Sequence, residues 1–177
     1  AQWLLGLCYM TGNGVAKDDV RAFQLFQKSA EQGDDNAQNE LGDCYYFGYG
    51  TKENDELAVE WYRKAAAQGN DDAQCSLGKC YYFGDGVEEN KEHAFTWFEH
   101  AADQGNAEAQ CWVGKCKYWG TGSDEDNVQA VYWFQKAAEQ DDDDAQYFLG
   151  RCYYYGQGVP EDKVQAVSWF RKSAEQG

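Results

Sequence analysis

Proline occurs once in 177 residues, and windows of strict apolar/polar alternation are few. The first shortage removes the commonest helix breaker and the second removes the signature of half-buried strands, so an all-α chain is expected. Basic residues are also scarce: 15 Lys and Arg face 31 Asp and Glu, for a net charge of −16. Nucleic-acid affinity comes largely from Lys and Arg displacing phosphate counterions, so a nucleic-acid partner is disfavoured. No apolar run approaches the ~20 residues that span a bilayer, which argues against membrane insertion, and no charged-then-apolar leader opens the sequence. What is present is 43% apolar residues, enough for a sizeable core.

A fixed period organises those residues. Gly6, Gly42, Gly78, Gly114 and Gly150 are 36 apart, each within a string reading L/V-G-x-C-Y/K. Cys8, Cys44, Cys80, Cys116 and Cys152 follow in step, as do G-x-G elements from Gly12/Gly14 to Gly156/Gly158 and the alanines Ala22, Ala58, Ala94, Ala130 and Ala166. Self-similarity at this spacing is the mark of a repeat array. Five units are expected, over approximately residues 1–33, 34–69, 70–105, 106–141 and 142–177, forming one repeat domain.

Each unit carries two helical patterns. Ala73, Leu77, Cys80 and Tyr81 fall at i, i+4, i+7 and i+8, and so do Ala58, Tyr62, Ala65 and Ala66. Asp34, Asn70, Asn106 and Asp142 precede the first helices, and Asp18, Asn54, Asn90, Asp126 and Asp162 the second, all good N-caps. Gly33, Gly69 and Gly105 end second helices, where a left-handed residue is cheapest for glycine; Asp141 takes that place in the fourth unit, and a looser turn is expected there. A glycine inside a helix costs roughly 1 kcal/mol relative to alanine. Its recurrence calls for close helix approach, with Gly78 and Ala94 both small and with Trp97 and Phe98 filling the space between units. One helix pair cannot bury its apolar faces alone, so the pairs must stack.

In the third unit Ala73, Leu77, Gly78, Tyr81, Gly84, Gly86 and Val87 are followed by Asn90, Ala94, Trp97, Phe98, Ala101, Ala102 and Gly105. This pattern resembles the Sel-one-like repeat (SLR) family, relatives of the tetratricopeptide repeat, over essentially the whole chain. Lys117 in place of the tyrosine, His100 in place of the lysine and Ser123 in place of the valine are local departures. The resemblance implies an α/α solenoid, a right-handed superhelix of five 36-residue antiparallel helix pairs whose first helices line a concave surface. It also implies an adaptor or scaffold role, and no catalytic chemistry or cofactor.

The residues themselves offer little chemistry. Five of the seven cysteines share one repeat position. Adjacent copies should lie roughly a helix diameter apart, ~10 Å, beyond the ~7 Å Cα reach of a disulfide. Secreted members of the family bridge their two helices with cystines, but no second helix here contains cysteine. The seven are therefore read as reduced packing residues, which favours a reducing compartment such as the cytoplasm. His93 and His100 lack further metal ligands, and the run Asp141 to Asp144 lacks the glycine and terminal glutamate of a calcium loop, so no metal site is expected. The G-x-G elements follow helices rather than strands and are read as turns, not a dinucleotide fingerprint. No set of nucleophile, base and orienting group is found.

A second pattern lies on the other side of the first helices. Cys75, Lys79 and Tyr82 fall at i, i+4 and i+7, as do Cys111, Lys115 and Tyr118, then Tyr147, Arg151 and Tyr154. Phe83, Trp119 and Tyr155 add aromatic area, as Phe47 does earlier. Two readings stand. In one, Lys79, Tyr82, Lys115, Tyr118, Trp119, Tyr147, Arg151 and Tyr154 line a groove for a peptide or protein partner, since aromatics and Arg are the usual interface anchors. In the other, Tyr46 and its equivalents pack between units and the cations are a solvated face salted against nearby carboxylates. The acidic exterior offers a further option, docking of basic partners on the convex side or at the loops.

A protein-interaction module is thus expected. Its rivals are a structural spacer within a larger chain and, on the strength of relatives associated with β-lactam binding or hydrolysis, an enzyme. Ala1 matches Ala37 and Gly177 matches Gly33, so the ends lack polar capping units. A segment of a longer array is expected, with head-to-tail self-association through uncapped ends.

Overall fold

The computed structural model describes residues 1–176, and among them it places ten helices and no strand. Two compact units divide the chain, Ala1–Glu89 and the residues from Asn90 onward. The first holds α1 (Gln2–Thr11), α2 (Asp19–Ala30), α3 (Asp35–Phe47), α4 (Asp55–Ala67) and α5 (Asp71–Phe83). The second holds α6 (Lys91–Gln104), α7 (Ala107–Trp119), α8 (Asn127–Ala138), α9 (Asp143–Tyr155) and α10 (Lys163–Ala174).

The helices begin where short polar side chains can accept a backbone N–H. Asp34, for example, accepts from the Ala37 amide at 2.9 Å and Asn54 from the Leu57 amide at 2.8 Å, and all nine expected caps are made. Each such cap stabilises its helix by about 1 kcal/mol. Asp141 departs from expectation: its φ of 65° reproduces the left-handed turn of Gly33, and its amide reaches the Ala138 carbonyl at 3.2 Å. The turn is kept rather than loosened, because aspartate is among the few side chains that tolerate this conformation.

Partner helices within a repeat run antiparallel. The Asp18 amide, at the start of α2, donates to the Tyr9 carbonyl near the end of α1, while Gln32 beyond the end of α2 meets Gln2 at the start of α1. Their contact explains the helical glycines, and differs from the small-on-small packing expected. A β-carbon on Gly42 would stand 2.5 Å from the Tyr62 ring, and one on Gly114 would stand 2.6 Å from Phe134. The glycine exists to receive an aromatic ring from the second helix, with Ala58 and Ala130 fully buried beside it.

Repeat meets repeat through backbone. A β-carbon on Gly50 would collide with the Asp19 carbonyl at the start of α2. Gly86 meets Asp55, Gly122 meets Lys91 and Gly158 meets Asn127 in the same way. Buried glutamines add a second joint that the sequence reading did not foresee. The Gln38 side chain donates to the Ala30 carbonyl at 3.2 Å and accepts from Gln68 at 2.8 Å; Gln110 does the same with Ala102 and Gln140. A glutamine in a first helical turn reads as surface, but here it satisfies the end of the preceding helix.

Candidate functional site

The first helices bring the second pattern of side chains to the surface unevenly. Their last residues are the most open: Phe47, Phe83, Trp119 and Tyr155 are between 49% and 61% exposed. Each is braced edge-on by the tyrosine before it, with centroid separations of 4.9 Å for Tyr46 and Phe47, 5.0 Å for Tyr82 and Phe83, 5.7 Å for Tyr118 and Trp119, and 4.9 Å for Tyr154 and Tyr155. Large rings are thus held rigid in water at one repeated position, where the helix needs no apolar residue.

Further back along the same face the surface closes. Cys75 and Cys111 are buried, so two of the three expected rows do not open onto solvent at their beginnings, whereas the row that begins at Tyr147 does. Tyr118 departs from the groove reading and follows the other, packing between units. It is only 7% exposed, packs against Phe134 and Phe148, and donates its hydroxyl to Gln157 in the loop of the next repeat. Tyr46 does likewise, donating to Asp85 at 2.8 Å. Both tyrosines therefore join repeats, because a row at i, i+4 and i+7 points toward the next first helix; periodicity alone does not tell that neighbour from a groove.

The cations are of three kinds. Lys115 is largely covered, pairs with Asp144 at 2.7 Å and has its ammonium 4.8 Å from the Trp112 ring centre. Its charge is neutralised within the repeat interface. The Arg151 guanidinium lies 5.7 Å from the Tyr118 ring, 6.0 Å from Tyr147 and 5.7 Å from Phe148, so three rings surround it while Tyr147 and Tyr154 stay exposed beside it. Lys79 borders a recess of roughly 170 Å³ between α3 and α5, together with Asp43, Ser76 and the rings of Tyr46, Phe47, Tyr62 and Phe83. Asp43 accepts the Tyr62 hydroxyl at 2.6 Å. Next to it, burial first and then the charges of Asp43 and Asp72 push the Glu40 carboxyl up to about 7. In the first unit this face is acidic as well as basic, which the sequence pattern of Lys79, Lys115 and Arg151 did not include.

The cysteines are not poised for chemistry. All seven cysteines are thiols, and all but Cys8 are buried; burial pushes Cys44, Cys80 and Cys116 up to about 12, far from the thiolate that nucleophilic or metal chemistry needs. Among the described residues no three or more His, Cys, Asp or Glu are grouped to hold a metal ion, and no helix is long and apolar enough to cross a membrane.

Comparison with known proteins places this geometry in company. The Sel1 repeat pattern matches residues 1–34, 35–70, 71–106, 107–142 and 143–177, a register one residue from the boundaries drawn by spacing. A protective antigen of uropathogenic Escherichia coli strains, displaying an SLR fold, is 38% identical with a TM-score of 0.87 over 99% of this chain and 38% of its own. A Sel1 repeat protein from Oxalobacter formigenes is also 38% identical, with a TM-score of 0.91 over 99% of this chain and 70% of its own. The chain therefore spans well under half of the first relative. Helicobacter pylori cysteine rich protein B shares the fold at 24% identity, with a TM-score of 0.58 over 73% of this chain and 92% of its own. The comparison with curated proteins finds no match.

Proposed function

The chain belongs to the Sel1 repeat family, and from that premise we propose that it is a non-catalytic scaffold that holds a peptide or protein partner against the face lined by its first helices. Proteins of this family generally act as protein-interaction scaffolds and are generally non-catalytic. One observation carries the finer reading: the braced, half-exposed rings of Phe47, Phe83, Trp119 and Tyr155 recur at one place in four repeats. Exposed aromatics of this size gain little for folding, whereas rigid rings with low conformational entropy are the usual anchors of interfaces.

Around them Lys79, Tyr82, Tyr147, Arg151 and Tyr154 supply polar reach, and Lys115 and Tyr118 act from beneath by fixing neighbouring repeats. Arg151 is the strongest single candidate for a carboxylate or carbonyl of the partner, since neighbouring rings already confine its guanidinium. Panning a random peptide library on the chain tests the proposal. A variant with Phe47, Phe83, Trp119 and Tyr155 all changed to alanine should release the selected peptides while keeping its helical circular dichroism and melting curve. Peptides held equally by that variant would place the partner surface elsewhere.

A further inference from the structure

The recess between α3 and α5 has two internal templates for its occupant. In the second unit the Phe148 ring lies on Phe134, 5.2 Å away and within 12° of parallel, with Trp119 edge-on at 5.3 Å. Trp112 lies on Phe98 in the same way, at 5.2 Å and 9°. In both cases a first helix places a ring on the ring of the preceding second helix. The repeat position of Trp112 and Phe148 is occupied in α5 by Ser76, with 36 residues between successive members. The residues that surround Phe148, namely Phe134, Tyr118 and Trp119, have Tyr62, Tyr46 and Phe47 as their equivalents, and these line the recess. The recess is thus an aromatic socket whose own ring is missing. Its roughly 170 Å³ is ample for one, since a cavity of about 150 Å³ holds benzene.

The walls also differ in charge from the filled sockets. Asp43 stands where the second unit has Lys115, and Glu40 and Asp72 lie near enough to act on each other through their charges. Asp43 on the wall, with Asp72 nearby and Glu40 titrating at about 7, makes the surroundings of Lys79 acidic. We infer that the socket receives an aromatic side chain of a partner segment, with Lys or Arg beside that ring in the partner's sequence. The inference rests on the first-helix face being the partner surface, and adds the chemistry of what binds there.

The test is a nuclear magnetic resonance titration of the whole chain with acetyl-Lys-Trp-Lys-amide and with counterparts carrying Leu for Trp or Glu for Lys. The Trp peptide should shift the amides of Tyr46, Ser76 and Phe83 saturably, and each counterpart should bind about tenfold more weakly. Ser76→Phe, and independently Ser76→Trp, should fill the socket as repeats five and four do and abolish those shifts, while Ser76→Ala retains them. Either filled variant, once its circular dichroism matches that of the parent, serves if the other fails to fold. Equal binding of the Leu peptide, equal binding of the Glu peptide, or shifts that persist in a filled variant would each overturn the inference. Shifts confined to Trp119, Tyr147 and Tyr154 would overturn it while leaving the partner surface intact; silence on every first helix at millimolar peptide would overturn both.

Discussion

Glu40 is the residue at which the fold works against itself. Burial and the charges of Asp43 and Asp72 hold its carboxyl near 7, against an ordinary value of 4.5, so the folded state favours the neutral acid. A raised carboxyl binds more protons folded than unfolded between those two values, and stability falls as pH rises through that window. The loss is absent below 4.5 and complete above about 7. Glu40→Gln keeps the shape without the charge. It should raise stability by on the order of 1 kcal/mol above the window, after allowance for solvent screening, and by little below it. Urea midpoints measured at both ends of the pH range check this; a gain equal at both ends would show that the charge is not the cause. At this scale the sequence was readable wherever chemistry is local, as in the nine caps. At Tyr118 it left two roles open, because the choice between them depends on a loop 39 residues away.

At the scale of the element, helix pairing was legible because the apolar period is helical twice in every unit. The reason for the central glycine was half legible: close approach was expected, but a ring in place of a small residue was not, since spacing does not reveal which side chain crosses between helices. The ring makes a quantitative claim. Alanine at Gly114 would gain roughly 1 kcal/mol of helix propensity, yet its β-carbon would press on Phe134, and overpacking of this kind costs about 1–3 kcal/mol. Phe134 is clamped by Phe148, whereas Tyr62 borders the recess and has room to give. Gly114→Ala should therefore destabilise by up to about 2 kcal/mol and Gly42→Ala by less, read as shifts in the urea midpoint. The reverse order would mean that the recess offers Tyr62 no relief.

For the whole molecule, the number of repeats could be read from the sequence alone, and the distribution of charge could not. A net charge of −16 is self-repulsion spread over the chain, and the grouping of Asp43 and Asp72 near Glu40 concentrates it. Added salt shortens the reach of that repulsion. The melting temperature should rise as sodium chloride is raised from a few millimolar to about 0.15 M, where the screening length is about 8 Å. A flat or falling melting temperature would mean that pairs such as Lys115 with Asp144 outweigh the excess. The acid-rich rim escaped the sequence reading because Glu40, Asp43 and Asp72 lie on two helices and become neighbours only when repeats stack.

The seats of Gly50, Gly86, Gly122 and Gly158 carry a consequence for how such chains change over time. What they rest on belongs to Asp19, Asp55, Lys91 and Asn127, three different amino acids sharing nothing but a main-chain oxygen. A coupling made that way is indifferent to the residue that supplies it. At these contacts whole modules can be duplicated, deleted or traded with no matching change of side chain, whereas a pair such as Lys115 with Asp144 has to travel together.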